Sequence, residues 1–147
     1  MFMGETMPET RPRVVVADDE EVIANTLAMI LNQAGFEARA VYSGEKALGL
    51  VQSFKPDMLI SDVIMQGISG IETAIKVRAM LPSCKILLFS GQACTANLLE
   101  KARVQGYEFE ILNKPVHPSD LLARMRAAVP DHSSLTSPDS EATLSSG

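Results

Sequence analysis

The sequence predicts an α/β fold in which helices cover both faces of a five-stranded parallel sheet. Short runs of β-branched and aliphatic residues occur at 14–16, 58–60 and 86–89, and they are apolar on both sides, as buried parallel strands are. Segments with the apolar period of an amphipathic helix lie between the strands. Strand and helix therefore alternate five times, which is typical of a doubly wound (βα)5 sheet.

Two further strands complete the predicted sheet. Residues 37–42 and 107–112 alternate more clearly between apolar and polar side chains, which indicates strands nearer the sheet edges. Five-stranded sheets of the flavodoxin-like class commonly have the strand order 2-1-3-4-5, joined by right-handed crossovers. We expect that order here, with a switch point between strands 1 and 3.

Each predicted helix has a start or stop signal. Apolar residues at i, i+4, i+7, i+8 and i+11 from Ile23 form the buried face of the first helix. Capping residues, glycines and prolines mark the ends of the predicted helices. In chain order they are Gly35 after the first helix, Ser43 before the second, Pro82 after the third, Gly106 after the fourth and Pro118 at the start of the fifth.

Composition sets the size of the folded unit. The chain has 147 residues and a net charge of −5. Residues 1–12 and the Ser-rich residues 131–147 carry too little apolar surface to offset the entropy of ordering them, so both are expected to be disordered. We therefore expect residues 13–130 to form one domain, with no residues left for an output domain of its own.

Several classes of protein are disfavoured by the same composition. The longest apolar runs fall far short of the roughly 20 residues that a membrane span needs, and the N-terminus lacks the apolar region of a secretory signal. The negative charge disfavours nucleic-acid binding. Cys84 and Cys94 have no metal-type spacing and are interpreted as free thiols, which predicts a cytoplasmic location.

Polar residues follow the strands where ligands bind in such a sheet, beyond the carboxyl ends. Strand 1 leads to Asp18 and Asp19, strand 3 to Asp62, strand 4 to Ser90 and strand 5 to Lys114. Two unit charges 4 Å apart repel by ~4 kcal/mol at an effective dielectric of 20, so the carboxylates must be partly protonated or neutralised by a cation. A lysine and Mg²⁺ would supply the positive charge, whereas the His and Cys ligands that zinc prefers are absent from these motifs.

Each of these residues alone also has an ordinary structural explanation. Asp18 is at a helix-cap position, Ser90 at a loop-cap position, and Lys114 is a charge that solvent would accommodate. The functional interpretation depends on their falling at strand ends on one side of the sheet.

Four motifs carry a family resemblance: VVVADDE, PDMLISDVIM with Gly70 eight residues after Asp62, LLFSG, and NKP. Together they resemble the receiver domain of two-component response regulators, the chemotaxis-type phosphoacceptor fold, over residues 13–129. The resemblance implies a phosphorelay switch rather than an enzyme, with only self-catalysed phosphoryl acceptance and hydrolysis. It also implies a histidine kinase or phosphotransfer protein as donor, and a separate, unknown downstream protein.

The resemblance further implies a role for each acidic residue. Asp62 would be the phosphoacceptor. Asp19 and Asp62 would bind Mg²⁺ directly, Asp18 mainly through water, and Ile64 through its backbone carbonyl. These roles agree with the chemistry, since phosphoryl transfer needs a nucleophile and neutralisation of the phosphoryl oxygens.

The phosphoryl group itself would be bound by three further residues. The Ser90 hydroxyl would donate a hydrogen bond to it, Gly91 would leave room for it, and Lys114 would pair with one of its oxygens, with a cis Lys114–Pro115 bond. Phosphorylation would shift the segment between strand 4 and helix 4, and the face of helix 4, strand 5 and helix 5 would transmit the shift.

The chain departs from the family pattern in strand 5. Ile111 occupies the position where the family usually has an aromatic switch residue, which puts the usual switching in question. Tyr107 and Phe109 share the Ile111 face by period-2 alternation and are candidate substitutes. The spacing from Gly106 to Lys114 is one residue longer than usual, which favours a bulge near strand 5.

A second departure lies after Asp62. Gln66 replaces the common proline four residues on, which should loosen that loop.

Three alternative functions remain: a receiver-like binding module that works without phosphorylation, a phosphatase and a flavin carrier. A phosphatase with an Asp nucleophile would have Asp-x-Asp in strand 1, whereas Asp18 and Asp19 are adjacent. A flavin carrier would have a phosphate loop rich in Gly, Ser and Thr after strand 1.

Overall fold

A single parallel sheet organises the chain, and the computed structural model describes residues 11–91 and 95–128 of it. The sheet order is β2-β1-β3-β4-β5, which confirms the predicted order and the two predicted edge strands. The strands are β1 (Arg13–Ala17), β2 (Glu37–Val41), β3 (Met58–Asp62), β4 (Lys85–Ser90) and β5 (Glu110–Asn113).

A helix follows each strand, as predicted. Ser43 caps the second, with its Oγ accepting a hydrogen bond from the Lys46 N–H at 3.0 Å, and Pro118 is the first residue of the fifth. The helices are α1 (Glu21–Gln33), α2 (Gly44–Phe54), α3 (Gly70–Met80), α4 (Thr95–Val104) and α5 (Pro118–Ala128). Within the described ranges, no helix is long and apolar enough to cross a bilayer.

The core lies on the central strands. Every residue of β3 is buried, and so are Val14, Val15 and Val16 of β1. The side chains of Val15 and Leu59 pack with apolar residues of α2 and α3, such as Val51 and Ala74. This two-sided burial explains why these strands consist of apolar runs, while the edge strand β2 is half-polar.

The strand register brings the predicted site together. Ala17 of β1 pairs with Ser61 of β3, so that Asp18 and Asp62, one residue further on, lie at the same level of the sheet. On the other side of β3, Phe89 of β4 pairs with Asp62. Ser90 then pairs with Asn113, which places Lys114 just beyond the end of β5.

The fifth strand is shorter than predicted, and the predicted bulge is absent from it. β5 begins at Glu110, and its pairing with β4 runs without interruption. Residues 107–109 belong instead to the connection after α4. Gly106 adopts a φ of +97°, and the Tyr107 N–H donates to the Ala102 carbonyl at 2.9 Å. These contacts close the end of α4 and keep Tyr107 out of the strand.

Arg11 and Pro12, which precede β1 within the segment predicted to be disordered, form hydrogen bonds with the folded chain. The Arg11 guanidinium donates to the Asn32 carbonyl at 2.9 Å, and the Pro12 carbonyl accepts from the Glu37 N–H at 2.8 Å. The rest of the two segments predicted to be disordered lies outside the described residues, as does Cys94.

The chain divides into two compact units, one ending at Pro115 and the other starting at Val116. The sheet, α1 to α4 and the strand-end residues belong to the first. In the second, α5 has Leu121 and Met125 buried, both of which belong to the predicted apolar stripe.

Candidate functional site

Three carboxylates meet at the carboxyl end of the sheet, as the strand-end argument predicts. Asp18 and Asp19 follow β1, and Asp62 is the last residue of β3. One oxygen from each carboxylate lies within 4.8 Å of the other two. Asp18 and Asp62 are buried, whereas Asp19 is accessible to solvent. The cluster is therefore open on one side.

The Asp18 carboxylate is fully buried, and only one of its two oxygens has a hydrogen-bond partner among the described residues. Its Oδ1 accepts a hydrogen bond from the Glu20 N–H at 2.9 Å. Its Oδ2 has no hydrogen-bond partner among the described residues. Burial raises the pKa of Asp18, although the Glu20 N–H and the Lys114 charge oppose that effect. An ionised Asp18 is therefore costly here unless a cation joins the site.

Lys114 supplies the positive charge within the cluster. Its Nζ donates to Asp62 Oδ2 at 3.0 Å and lies 3.6 Å from Asp18 Oδ2. Burial alone would lower the pKa of Lys114. The hydrogen bond to Asp62 and the charges of Asp62 and Asp18 outweigh burial, so the pKa is raised and the ammonium stays protonated at neutral pH. The Lys114–Pro115 bond is cis, as expected.

The loop between β3 and α3 is tied at several points. At its ends, the Val63 N–H donates to the Phe89 carbonyl at 3.0 Å, and the Gly70 N–H donates to the Val63 carbonyl at 2.8 Å. In the middle, the Gln66 N–H donates to Asp19 Oδ2 at 3.1 Å. The loosening predicted from the missing proline is thus offset by a hydrogen bond that proline could not make.

The donor set fits a hard divalent cation. All three candidate ligands are carboxylates, one of which carries a buried oxygen without a hydrogen bond. Oxygens bound to one Mg²⁺ lie at most about 4 Å apart, so ligand atoms within 4.8 Å of one another need only small side-chain rotations. Lys114 leaves the three acids with a net charge of −2, which a divalent cation would balance.

Most of the chain matches the sequence pattern of one known family. The sequence profile described as "Response regulator receiver domain" matches residues 14–126. The chain belongs to this family. Receiver domains are signalling switches of two-component systems, and they typically bind Mg²⁺ at an acidic cluster such as the one formed here.

Curated relatives of this receiver domain include DNA-binding response regulators. MtrA of Mycolicibacterium smegmatis is 27% identical over 121 residues, which are 82% of this chain and 52% of that protein. MtrA of Mycobacterium leprae is 27% identical over 117 residues, or 80% of this chain and 51% of that protein. The chain thus spans about half the length of the curated relatives it matches.

Solved structures have the same fold as this receiver domain. The chemotaxis response regulator CheY4 of Vibrio cholerae is 26% identical with a TM-score of 0.71, over 82% of this chain and all (100%) of that one. A chain described as adenylate cyclase from Rhodopirellula baltica is 29% identical with a TM-score of 0.72, over 82% of this chain and 88% of that one.

The remaining predicted pocket residues of the receiver domain lie around the cluster. Ser90 is buried at the end of β4, and its carbonyl accepts a hydrogen bond from the Lys114 N–H at 3.1 Å. A Cβ added to Gly91 would lie 3.3 Å from the Lys114 Cβ, so a small residue keeps the lysine stem in place. Ile64 lies two residues after Asp62 in the loop and is 42% exposed.

The predicted switch positions also share a location. Ile111 lies in β5 opposite Leu88, and it packs partly buried against the core, together with Tyr107 and Phe109. The Tyr107 and Phe109 rings are stacked, with centroids 6.1 Å apart and planes at 10°. The Arg78 guanidinium lies 5.5 Å from the Phe109 ring centroid. The two aromatic residues therefore face the same core as Ile111, although they precede the strand.

Three contacts at the site are not predicted by the sequence. The Gln66 N–H contacts Asp19, as described above. Glu45 Oε2 accepts from the Ile68 N–H at 3.2 Å, which ties the loop to α2. Gly70 packs so closely that an added Cβ would overlap the Asp62 carbonyl oxygen. The spacing of Gly70 from Asp62 is part of the family motif, whereas no pattern in the sequence indicates the contact of Glu45.

Proposed function

We propose that this receiver domain is a phosphorylation-dependent signalling switch whose phosphoacceptor is Asp62. The observation that carries the proposal is the ion pair between Lys114 Nζ and Asp62 Oδ2 at 3.0 Å, beside two further carboxylates. A lone carboxylate at a strand end would not need this arrangement. A carboxylate that attacks a phosphoryl group does need it, because negative charge must be balanced on both reactants.

In the proposed reaction, an oxygen of the Asp62 carboxylate attacks the phosphorus of a phosphohistidine on a partner protein. A P–O bond forms, the P–N bond breaks, and its electron pair returns to the imidazole nitrogen. Lys114 is already within 3.0 Å of Asp62, and we propose that it transfers its hydrogen bond to a phosphoryl oxygen. Asp18, Asp19, Asp62 and the Ile64 carbonyl would hold Mg²⁺, which supplies charge neutralisation for the phosphoryl oxygens.

The output step of the proposal depends on Ser90. Phosphorylation adds up to two negative charges at Asp62, and Asp62 is paired with Phe89 next to Ser90. The Ser90 hydroxyl would then donate to the phosphoryl group, with Gly91 leaving room for it. Movement at the end of β4 would reach β5, because Ser90 pairs with Asn113. We assign the aromatic part of the switch to Tyr107 and Phe109 rather than to Ile111.

The proposed partners are proteins. The donor is a histidine kinase or phosphotransfer protein, and the recipient is a protein that binds the changed surface. DNA binding, which the name of MtrA attributes to that protein, is not proposed for this chain, whose net charge is −5. The cytoplasmic location stays a prediction.

One assay tests the proposed function. Incubation with Mg²⁺ and acetyl phosphate should add one acid-labile phosphoryl group, detected by intact-protein mass spectrometry. Asp62→Asn should abolish the adduct. Asp57→Asn is the matched control, because Asp57 flanks the opposite end of β3, where it accepts a hydrogen bond from the Arg13 N–H.

Other results of this assay would favour the alternatives. Wild-type protein that stays unmodified would indicate a binding module that works without phosphorylation. Repeated turnover of a phosphate ester would indicate a phosphatase.

A further inference from the structure

A backbone amide contacts one of the candidate cation ligands from across the site. The Gln66 N–H donates to Asp19 Oδ2 at 3.1 Å, and the two residues are 47 positions apart in the chain. Asp19 follows β1, whereas Gln66 is in the loop after Asp62. This hydrogen bond therefore joins the two loops that supply the three carboxylates.

The position of the Gln66 amide is set by its neighbours in the loop. Met65, just before it, is buried in the core. Gly67, just after it, adopts a φ of +80°, which turns the chain. The next N–H, that of Ile68, donates to Glu45 Oε2 at 3.2 Å. The amide is thus fixed on both sides, and its direction does not depend on the Gln66 side chain, which is exposed.

Asp19 is the member of the cluster that most needs such a contact. Asp18 is held by burial and by the Glu20 N–H, and Asp62 is held by Lys114. Asp19 is accessible to solvent, so without a partner its side chain is free to rotate away from the cluster. A carboxylate has about four lone-pair sites, so Asp19 can accept from an amide and still bind a cation.

We propose that the Gln66 backbone amide is a positioning group that holds the Asp19 carboxylate at the divalent-cation site. The inference rests on the proposed function, since it assigns a residue that organises the same site. Hydrogen-bond partners of metal ligands typically contribute about 10- to 100-fold to metal affinity. Because proline has no N–H, this contact is a consequence of having Gln66 where the family commonly has proline.

The test compares two substitutions that separate the amide from the side chain. Gln66→Pro removes the N–H, and Gln66→Ala keeps it while removing the side chain. We expect Gln66→Pro to weaken Mg²⁺ binding about 10-fold by isothermal titration calorimetry, and Gln66→Ala to stay within about twofold of wild type. Unchanged binding in Gln66→Pro, or an equal loss in Gln66→Ala, would overturn the proposal.

A second measurement uses the cation-free protein and does not depend on a proline variant that folds. Amide hydrogen exchange at Gln66 should be slow in wild type and at least about 10-fold faster in Asp19→Ala. The Ile68 amide, which is bonded to Glu45, is the internal control and should keep its rate. Equal Gln66 rates in the two proteins would contradict the inference.

The two proposals can fail separately. Wild-type protein that does not bind Mg²⁺ would overturn the proposed function itself. Wild-type protein that binds Mg²⁺, together with a Gln66→Pro variant that binds it equally well, would overturn only the role of the amide.

Discussion

Lys114 reaches Asp62 across the end of an intervening strand. The two residues are 52 positions apart, and their Nζ and Oδ2 atoms lie 3.0 Å from each other. β4 separates β3 from β5 in the sheet, so the lysine stem must cross beyond Ser90. Gly91 leaves room for this path, since a Cβ there would lie 3.3 Å from the Lys114 Cβ and the stem would have to shift slightly. The ion pair therefore depends on the relative positions of the ends of β3, β4 and β5.

Replacing Lys114 should separate cation binding from phosphorylation. In Lys114→Ala the three carboxylates lose their internal counter-charge, so Mg²⁺ affinity should be kept or increased. Phosphorylation by acetyl phosphate should slow by about 100-fold, because a donor to the phosphoryl oxygens is lost. Calorimetric titration with Mg²⁺ and the rate of adduct formation measure the two effects.

Lys76→Ala is a matched control for this substitution. Lys76 forms an exposed ion pair with Glu72 at 3.5 Å, and its removal should change neither quantity. A collapse of Mg²⁺ affinity in Lys114→Ala would show that the lysine organises the cation site, contrary to the proposed division of roles.

The buried Asp18 should make stability depend on pH. Its pKa is raised in the folded protein above the ordinary value of 3.8, so folding favours the protonated form. The stability that this group contributes is present below pH 3.8 and is lost as the pH rises through the folded-state pKa. The loss has a slope of at most about 1.4 kcal/mol per pH unit.

Asp18→Asn isolates that contribution by removing the charge. In buffer without Mg²⁺, urea unfolding at neutral pH should find the variant more stable than wild type, with the difference vanishing toward pH 3. Adding Mg²⁺ should stabilise wild type more than the variant, because a ligand that binds only the folded state adds to its stability. A variant that is less stable than wild type without Mg²⁺ would contradict the raised pKa.

Glycines at two positions should respond in opposite ways to alanine. A Cβ at Gly70 would overlap the Asp62 carbonyl oxygen, whereas a Cβ at Gly49 in α2 would meet nothing within 4 Å. Gly70→Ala should destabilise the domain by about 1–3 kcal/mol and slow phosphorylation of Asp62. Gly49→Ala should stabilise it by about 0.5–1 kcal/mol without affecting the site. Urea unfolding and the phosphorylation assay, applied to both variants, measure these effects. A Gly70→Ala variant as stable as wild type would contradict the close packing of Gly70 on the Asp62 carbonyl.

Tyrosine fluorescence offers a readout of the switch. The chain has two tyrosines and no tryptophan, so Tyr42→Phe leaves Tyr107 as the reporter. We expect acetyl phosphate with Mg²⁺ to change the fluorescence of this variant, because Tyr107 packs with Phe109 and Ile111 on the core beside β4. Adding Asp62→Asn should remove the change.

Tyr107→Phe provides the converse reporter. It leaves Tyr42, whose hydroxyl donates to Asn25 Oδ1 at 2.7 Å, next to the edge strand β2. Its fluorescence should stay constant on phosphorylation. A constant signal from Tyr107 itself, in a protein that is phosphorylated, would exclude it from the switch.

Much of the fold and the acidic cluster could be predicted from sequence because local patterns carry them. Two-sided apolar runs predict buried strands, amphipathic periods predict the helices between them, and the strand-end rule for parallel sheets brings Asp18, Asp19 and Asp62 together. The error at strand 5 has the same origin, since period-2 alternation at Tyr107 and Phe109 is equally compatible with a connection that packs on the core.

The strand order, the acidic residues and the family follow from the amino-acid sequence alone. Three contacts that organise the site do not: the path of Lys114 past Gly91, the hydrogen bond from the Gln66 N–H to Asp19, and the hydrogen bond from the Ile68 N–H to Glu45. Each of these contacts depends on the backbone positions of segments far apart in the chain, which local patterns of residues do not specify. Because every residue except proline has a backbone N–H, the identity of a residue does not indicate which side chain accepts a hydrogen bond from its backbone. That acceptor can be identified only from the three-dimensional structure.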